Sequence, residues 1–201
     1  MKIPFASLAL LICRVLSAAD ADTNLISIYL MDRPAAQPWP RLDAAHLKEL
    51  KLVSPAVLAD SDFLAFDTTN HTFVITGAAA KRLSLSIWSL AKQDAPGWGE
   101  QVPHVHNTGD FELIPTPAPF VIKASGESIY AGAFYCPFMS AGFTGPVVMA
   151  RDMLIKTNVP NNATFSFSIQ LGYPGPLPGT PDPRGDSRIA SAVRKLFANK
   201  H

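Results

Sequence analysis

The sequence predicts an α+β fold: a mostly antiparallel sheet, one main helix packed on it, and a C-terminal helix on a proline-rich tether. Three observations lead there. Two pairs of short β-rich runs are each joined by a turn-forming segment. A helical repeat of apolar residues follows the first pair directly. At Tyr173 the composition shifts to proline and glycine before a second amphipathic stretch.

The first β-rich run is Asn24 to Met31, with Ile26 and Ile28 at period two. A proline-rich loop, Arg33 to Pro40, follows, and His46 to Leu52 is expected to form a short helix or turn. Phe63–Phe66 and Thr72–Ile75 then flank Asp67-Thr68-Thr69-Asn70-His71. Asp and Asn favour turns because their side chains bond nearby amides and tolerate positive φ, so this reads as a hairpin. Thr76 caps the expected helix, which runs to about Ala91 with Ala80, Leu83, Ile87 and Leu90 on one face.

Pro96-Gly97-Trp98-Gly99 ends that helix, and a weakly patterned stretch continues to Pro119. A second hairpin joins Phe120–Lys123 to Ser128–Phe134, with Gly126 free to take positive φ in the turn. Pro146–Ala150 and Ala163–Leu171 read as further strands; the latter alternates Phe165, Phe167 and Ile169 with Ser166, Ser168 and Gln170. Pro174, Pro176, Pro178, Pro181 and Pro183 form the tether, expected to be mobile. Asp186 then caps a helix bearing Ile189, Val193, Leu196 and Phe197, expected to dock weakly or on a partner.

Of 201 residues, 48% are hydrophobic and 16% charged, which predicts one domain and excludes disorder over the whole length. The N-terminus carries Lys2, an apolar run from Phe5 to Cys13, and Ala19-Asp20-Ala21, a pattern that signal peptidase reads. Residues 1–21 are therefore expected to be a signal peptide, residues 22–172 one α+β domain, and residues 173–201 the linker and short helix. The mature chain then begins at or near Asp22, and the protein is exported, periplasmic or secreted. Cleavage removes Lys2, Arg14 and Asp20, leaving a formal charge of zero and only Cys136 of the two cysteines. A neutral chain offers no nucleic-acid footprint, and no second apolar stretch is long enough for a membrane span. Residues 181–201 carry five basic and two acidic side chains.

Several motifs invite chemistry. His104-Val105-His106 puts two imidazoles on one side of an extended segment, but a zinc site needs a further ligand. Cys136 becomes a nucleophile only beside a base that lowers its pKa, and its neighbours Pro137, Phe138 and Met139 are apolar. Asp60, Asp62 and Asp67 lack the glycine and terminal glutamate of a calcium loop and fit turns and caps. Arg184-Gly185-Asp186 matches an integrin-binding tripeptide, and Asp186 also suits a helix cap. No phosphate-binding glycine loop, serine-hydrolase elbow or zinc-protease helix is present, so no cofactor is expected.

Tyr135, Phe138, Met139 and Phe143 lie in a segment broken by Pro137, Gly142 and Gly145. This reads as an aromatic, Met-rich loop that either folds back as a lid on the core or offers a contact patch. The leading functional expectation is a non-enzymatic domain that binds a protein, peptide or other periplasmic ligand. The alternative is a hydrolase using Cys136, or a metal at His104 and His106.

Two segments also carry a resemblance. Thr76-Gly77-Ala78-Ala79-Ala80-Lys81-Arg82-Leu83 follows a strand and opens a helix. Phe120 to Phe134 is a strand pair about a glycine turn, and Gly145-Pro146-Val147-Val148 begins another strand. This order resembles small exported bacterial proteins of unassigned function. It is also similar to the periplasmic head subdomain of the SecD/SecF protein-export component, although Gly77 and Ala78 stand where that pattern has Pro-Glu or Glu-Gly. The resemblance implies an α+β sandwich of sheet and helix and carries over no catalytic residue.

Overall fold

The structure is a computed structural model and describes residues 23–32, 45–94, 118–135, 142–149 and 162–200. Seven strands form one sheet: β1 (Ile26–Leu30), β2 (Phe63–Asp67), β3 (Thr72–Thr76), β4 (Ala118–Ala124), β5 (Glu127–Tyr135), β6 (Phe143–Met149) and β7 (Thr164–Tyr173). Helix α1 spans Gly77–Asp94 and α2 spans Ser187–Ala198. The strand order is β1-β4-β5-β6-β7-β3-β2. Every described pair is antiparallel except β5 with β6. The α+β fold class is as the sequence predicts.

Local signals set most elements. The Asp67 carboxylate accepts from the N–H of Thr69 at 2.8 Å and bonds the Asn70 side chain at 2.8 Å, closing the β2–β3 turn. Ser125 and Gly126 have φ of 50° and 83°. Positive φ at both central residues is the mark of a two-residue type I′ hairpin, whose twist matches the strands it joins. The Thr76 hydroxyl accepts from the Ala79 N–H at 3.1 Å, satisfying one of the first amides of α1.

Both helices pack on one face of the sheet. A continuous core joins Ala80, Leu83 and Ile87 of α1 and Ile189, Ala192, Val193 and Leu196 of α2 to the strands. Ile28, Phe63, Phe73, Phe120, Phe134 and Ile169 are the larger strand contributions. Phe73 lies at the centre of an aromatic group, with ring centroids 5.2 Å from Phe63, 4.3 Å from Phe66 and 5.5 Å from Phe167. On the opposite face, Leu47, Leu50 and Leu52 cover Met31, Val121 and Ala131.

Two expectations need correction. The tether after Tyr173 is pinned: the Arg184 guanidinium donates to the Ile169 carbonyl at 2.8 Å and grips both oxygens of Asp182 at 2.8 and 2.6 Å. Charge-assisted, forked bonds of this kind fix a segment that proline and glycine alone would leave loose. Helix α2 therefore docks as part of the core, not weakly, and its four buried side chains close the face over β1 and β4.

The second correction concerns the aromatic segment. Tyr135 ends β5 and Phe143 opens β6, so both stand in strands. The breakers Pro137 and Gly142 lie between these strands, and the aromatic residues on either side follow their own β propensity.

Candidate functional site

His104, His106, Cys136, Phe138 and Met139 lie outside the described residues. Tyr135 and Phe143 are described and come together, with ring centroids 6.2 Å apart. Tyr173 completes the group at 5.3 Å from Tyr135, over Val147 and Met149. Tyr135 is only 2% exposed, so its ring is interior packing. Among the described residues no three His, Cys, Asp or Glu side chains are placed to hold a metal ion.

The three aspartates act on the backbone. Asp60 accepts from Leu25 and Ile26, Asp62 accepts from the Ala59 N–H at 2.8 Å and pairs with Arg82 at 2.6 Å, and Asp67 holds its turn. In the Arg-Gly-Asp tripeptide, Arg184 is committed to Asp182 and Ile169. Asp186 caps α2 by accepting from Arg188 N–H at 2.8 Å. Both charged ends of the tripeptide thus serve the fold.

One polar cluster was not legible in the sequence. The backbone carbonyl of His71, at the β2–β3 turn with φ of 50°, accepts from the Ile169 N–H at 3.0 Å, while Arg184 donates to the Ile169 carbonyl. The Arg184 and Asp182 charges both act on the His71 imidazole, in opposite senses. Burial lowers the His71 pKa below 6.5, and the Arg184 charge lowers it further. The hydrogen bond from Arg184 holds Asp182 below the usual 3.8. Nearby Tyr130 is buried, which pushes its hydroxyl well above the ordinary phenol value.

A depressed histidine pKa means that the fold favours neutral His71, so this contribution is complete above about pH 6.5 and is lost as pH falls through it. The depressed Asp182 contribution is lost only below about pH 4. Melting temperature should therefore fall in two stages on acidification. His71→Asn, which also tolerates positive φ, should remove the upper stage. An unchanged profile in that variant would show that His71 does not titrate against the fold.

The two sheet edges differ sharply. β1 is sealed along its outer side. Asp60 takes the Leu25 and Ile26 N–H groups at 2.8 Å each. Ile28 exchanges bonds with Leu58 and Val57 at 2.9 Å, the Leu30 carbonyl accepts from Val53 at 2.8 Å, and Asp32 donates to Lys51 at 2.9 Å. β2 ends the other side of the sheet, and Leu64, Ala65 and Asp67 are exposed there. The Lys200 ammonium reaches β2 at its first residue, 2.6 Å from the Phe63 carbonyl.

No protein-family model matches this chain, and neither a curated protein nor a solved structure does.

The outer stripe of α1 holds a shallow depression lined by Ala78, Lys81, Arg82, Leu85, Ser86 and Ser89, with Leu85 58% exposed. Its lining carries Lys81, the Asp62-paired Arg82 and two serine hydroxyls around the exposed Leu85. No helix among the described residues is long and apolar enough to cross a membrane.

Proposed function

We propose that this is an exported, non-enzymatic binding domain that takes an extended strand of a protein or peptide on the outer edge of β2. The single observation that carries the reading is the contrast between the edges. An unpaired edge is a template for another strand, and proteins normally cover or charge it. Here five backbone–backbone bonds and the Asp60 carboxylate cover the β1 edge, whereas β2 meets the Lys200 ammonium at its Phe63 end and presents Leu64 at 45% exposure. Strand addition needs what β2 offers: main-chain groups for affinity and exposed alternate side chains for selectivity. Export is supported by the charged start, apolar run and Ala19-Asp20-Ala21 of the sequence.

Panning a random peptide display library tests this, with Leu64→Lys as the counter-screen. Binders should be proline-poor, alternate apolar and polar residues, and lose the Leu64→Lys protein. Binders that keep the variant and shift amide signals at Tyr173 or Leu85 would refute the strand-addition reading.

A further inference from the structure

The distribution of charge along β2 narrows the occupant. Lys200 stands at the Phe63 end, with its ammonium 2.6 Å from the Phe63 carbonyl and 2.9 Å from that of Asp60. Asp67, exposed, stands at the other end. Between them the strand carries Leu64, Ala65 and Phe66 and no charge. Such an edge is complementary to itself. Turned about a two-fold axis and laid antiparallel, the Phe63 end of one strand meets the Asp67 end of the next. Lys200 of each copy then faces Asp67 of the other, and the apolar residues face one another. An isologous contact requires this kind of self-complementarity.

We infer that β2 pairs with β2 of a second copy of this chain, continuing the sheet across a two-fold axis with Lys200 and Asp67 bridging the joint at both ends. The inference rests on the strand-addition reading and names its partner. The contact is short. A register shift between Phe63 and Ala65 marks a bulge at Leu64, and a bulge interrupts regular pairing. A five-residue edge lies well below the area of a standard stable interface, so the dimer is weak and concentration-dependent. The contrast with β1 gives the assembly its limit: with the other edge sealed, pairing stops at two copies and no filament grows.

Sedimentation equilibrium of the protein from about 10 µM to about 1 mM tests this, a range suited to small transient contacts. The weight-average mass should climb toward twice the monomer, and amide exchange in β2 should slow as concentration rises. Leu64→Lys, at an exposed site, should hold the protein monomeric with an unchanged melting temperature. Lys200→Gln and Asp67→Asn, which remove the charges but can keep the local hydrogen bonds, should each weaken association about tenfold, a typical scale for desolvated interfacial charges. The double variant should be no weaker than either single one, because both changes remove the same pair. A mass that stays monomeric while β2 amides exchange quickly overturns self-pairing and leaves addition of a different strand standing. Slow, concentration-independent exchange in β2 overturns both readings. A dimer indifferent to Leu64→Lys and to both charge-removing variants places the contact elsewhere and overturns the inference.

Discussion

Gly132→Ala is expected to cost more than about 3 kcal/mol, the upper range for overpacking a core. Gly132 lies in β5 opposite Phe120. A Cβ there would stand 2.4 Å from the Pro146 carbonyl oxygen of β6 and 2.6 Å from the Phe120 ring tip. The first contact is backbone, so relief requires β5 and β6 to part, and those strands form the middle of the sheet. The second is a ring that is fully buried and packed 4.9 Å from Phe134. Denaturant midpoints of Gly132→Ala and of Gly132→Ala with Phe120→Leu would separate the two clashes. The double variant removes the ring contact and leaves the carbonyl one, so it should stay well below Phe120→Leu alone. A single variant within about 0.5 kcal/mol of the parent, the range of a neutral surface change, would show that the strands have slack.

Removing α2 is expected to abolish folding. The helix contributes Ile189, Ala192, Val193 and Leu196, all at most 6% exposed, to the same core as α1. Ile189→Ala or Leu196→Ala should each cost ~2–5 kcal/mol by lost transfer energy and the cavity left behind. Truncation after Gly185 loses all four side chains and exposes the face of β1 and β4, against a total stability of about 5–15 kcal/mol for a domain. Thermal melts of the point variants and the solubility of the truncation measure this. A truncated protein with the melting temperature of the parent would show that the helix is an appendage.

Sequence and structure agree at the turns and helix caps. The hairpin at Asp67–His71, the Thr76 cap, the Gly126 turn and the Asp186 cap each depend on residues within a few positions of one another. The apolar faces of both helices were also legible, since periodicity records burial directly. What was not legible depends on distant partners. Nothing near Arg184 signals the Ile169 carbonyl, so the tether read as mobile although it is fixed. Nothing near Asp60 signals the amides of Leu25 and Ile26, more than thirty residues away. The parallel β5–β6 pair and the strand order depend on chain path, which local pattern does not encode. The candidate edge shares this character: an exposed Leu64 reads as an ordinary strand residue until the sheet order leaves it outermost.

Asp60 has a further consequence. Its carboxylate holds the amides that open β1, and its own carbonyl accepts from Lys200, just beyond α2. The beginning and the end of the folded path are thus fastened to one residue, so the described chain is nearly a closed ring. A ring has no privileged opening. If the Leu25 and Lys200 segments that meet at Asp60 were bridged by a short linker and the chain cut at the exposed Thr68–Asn70 turn, β3 would become the first strand and β2 the last. Every ladder would remain except the covalent tie of that one hairpin. The architecture is in this sense indifferent to circular permutation at β2, the edge that we propose is open to a partner.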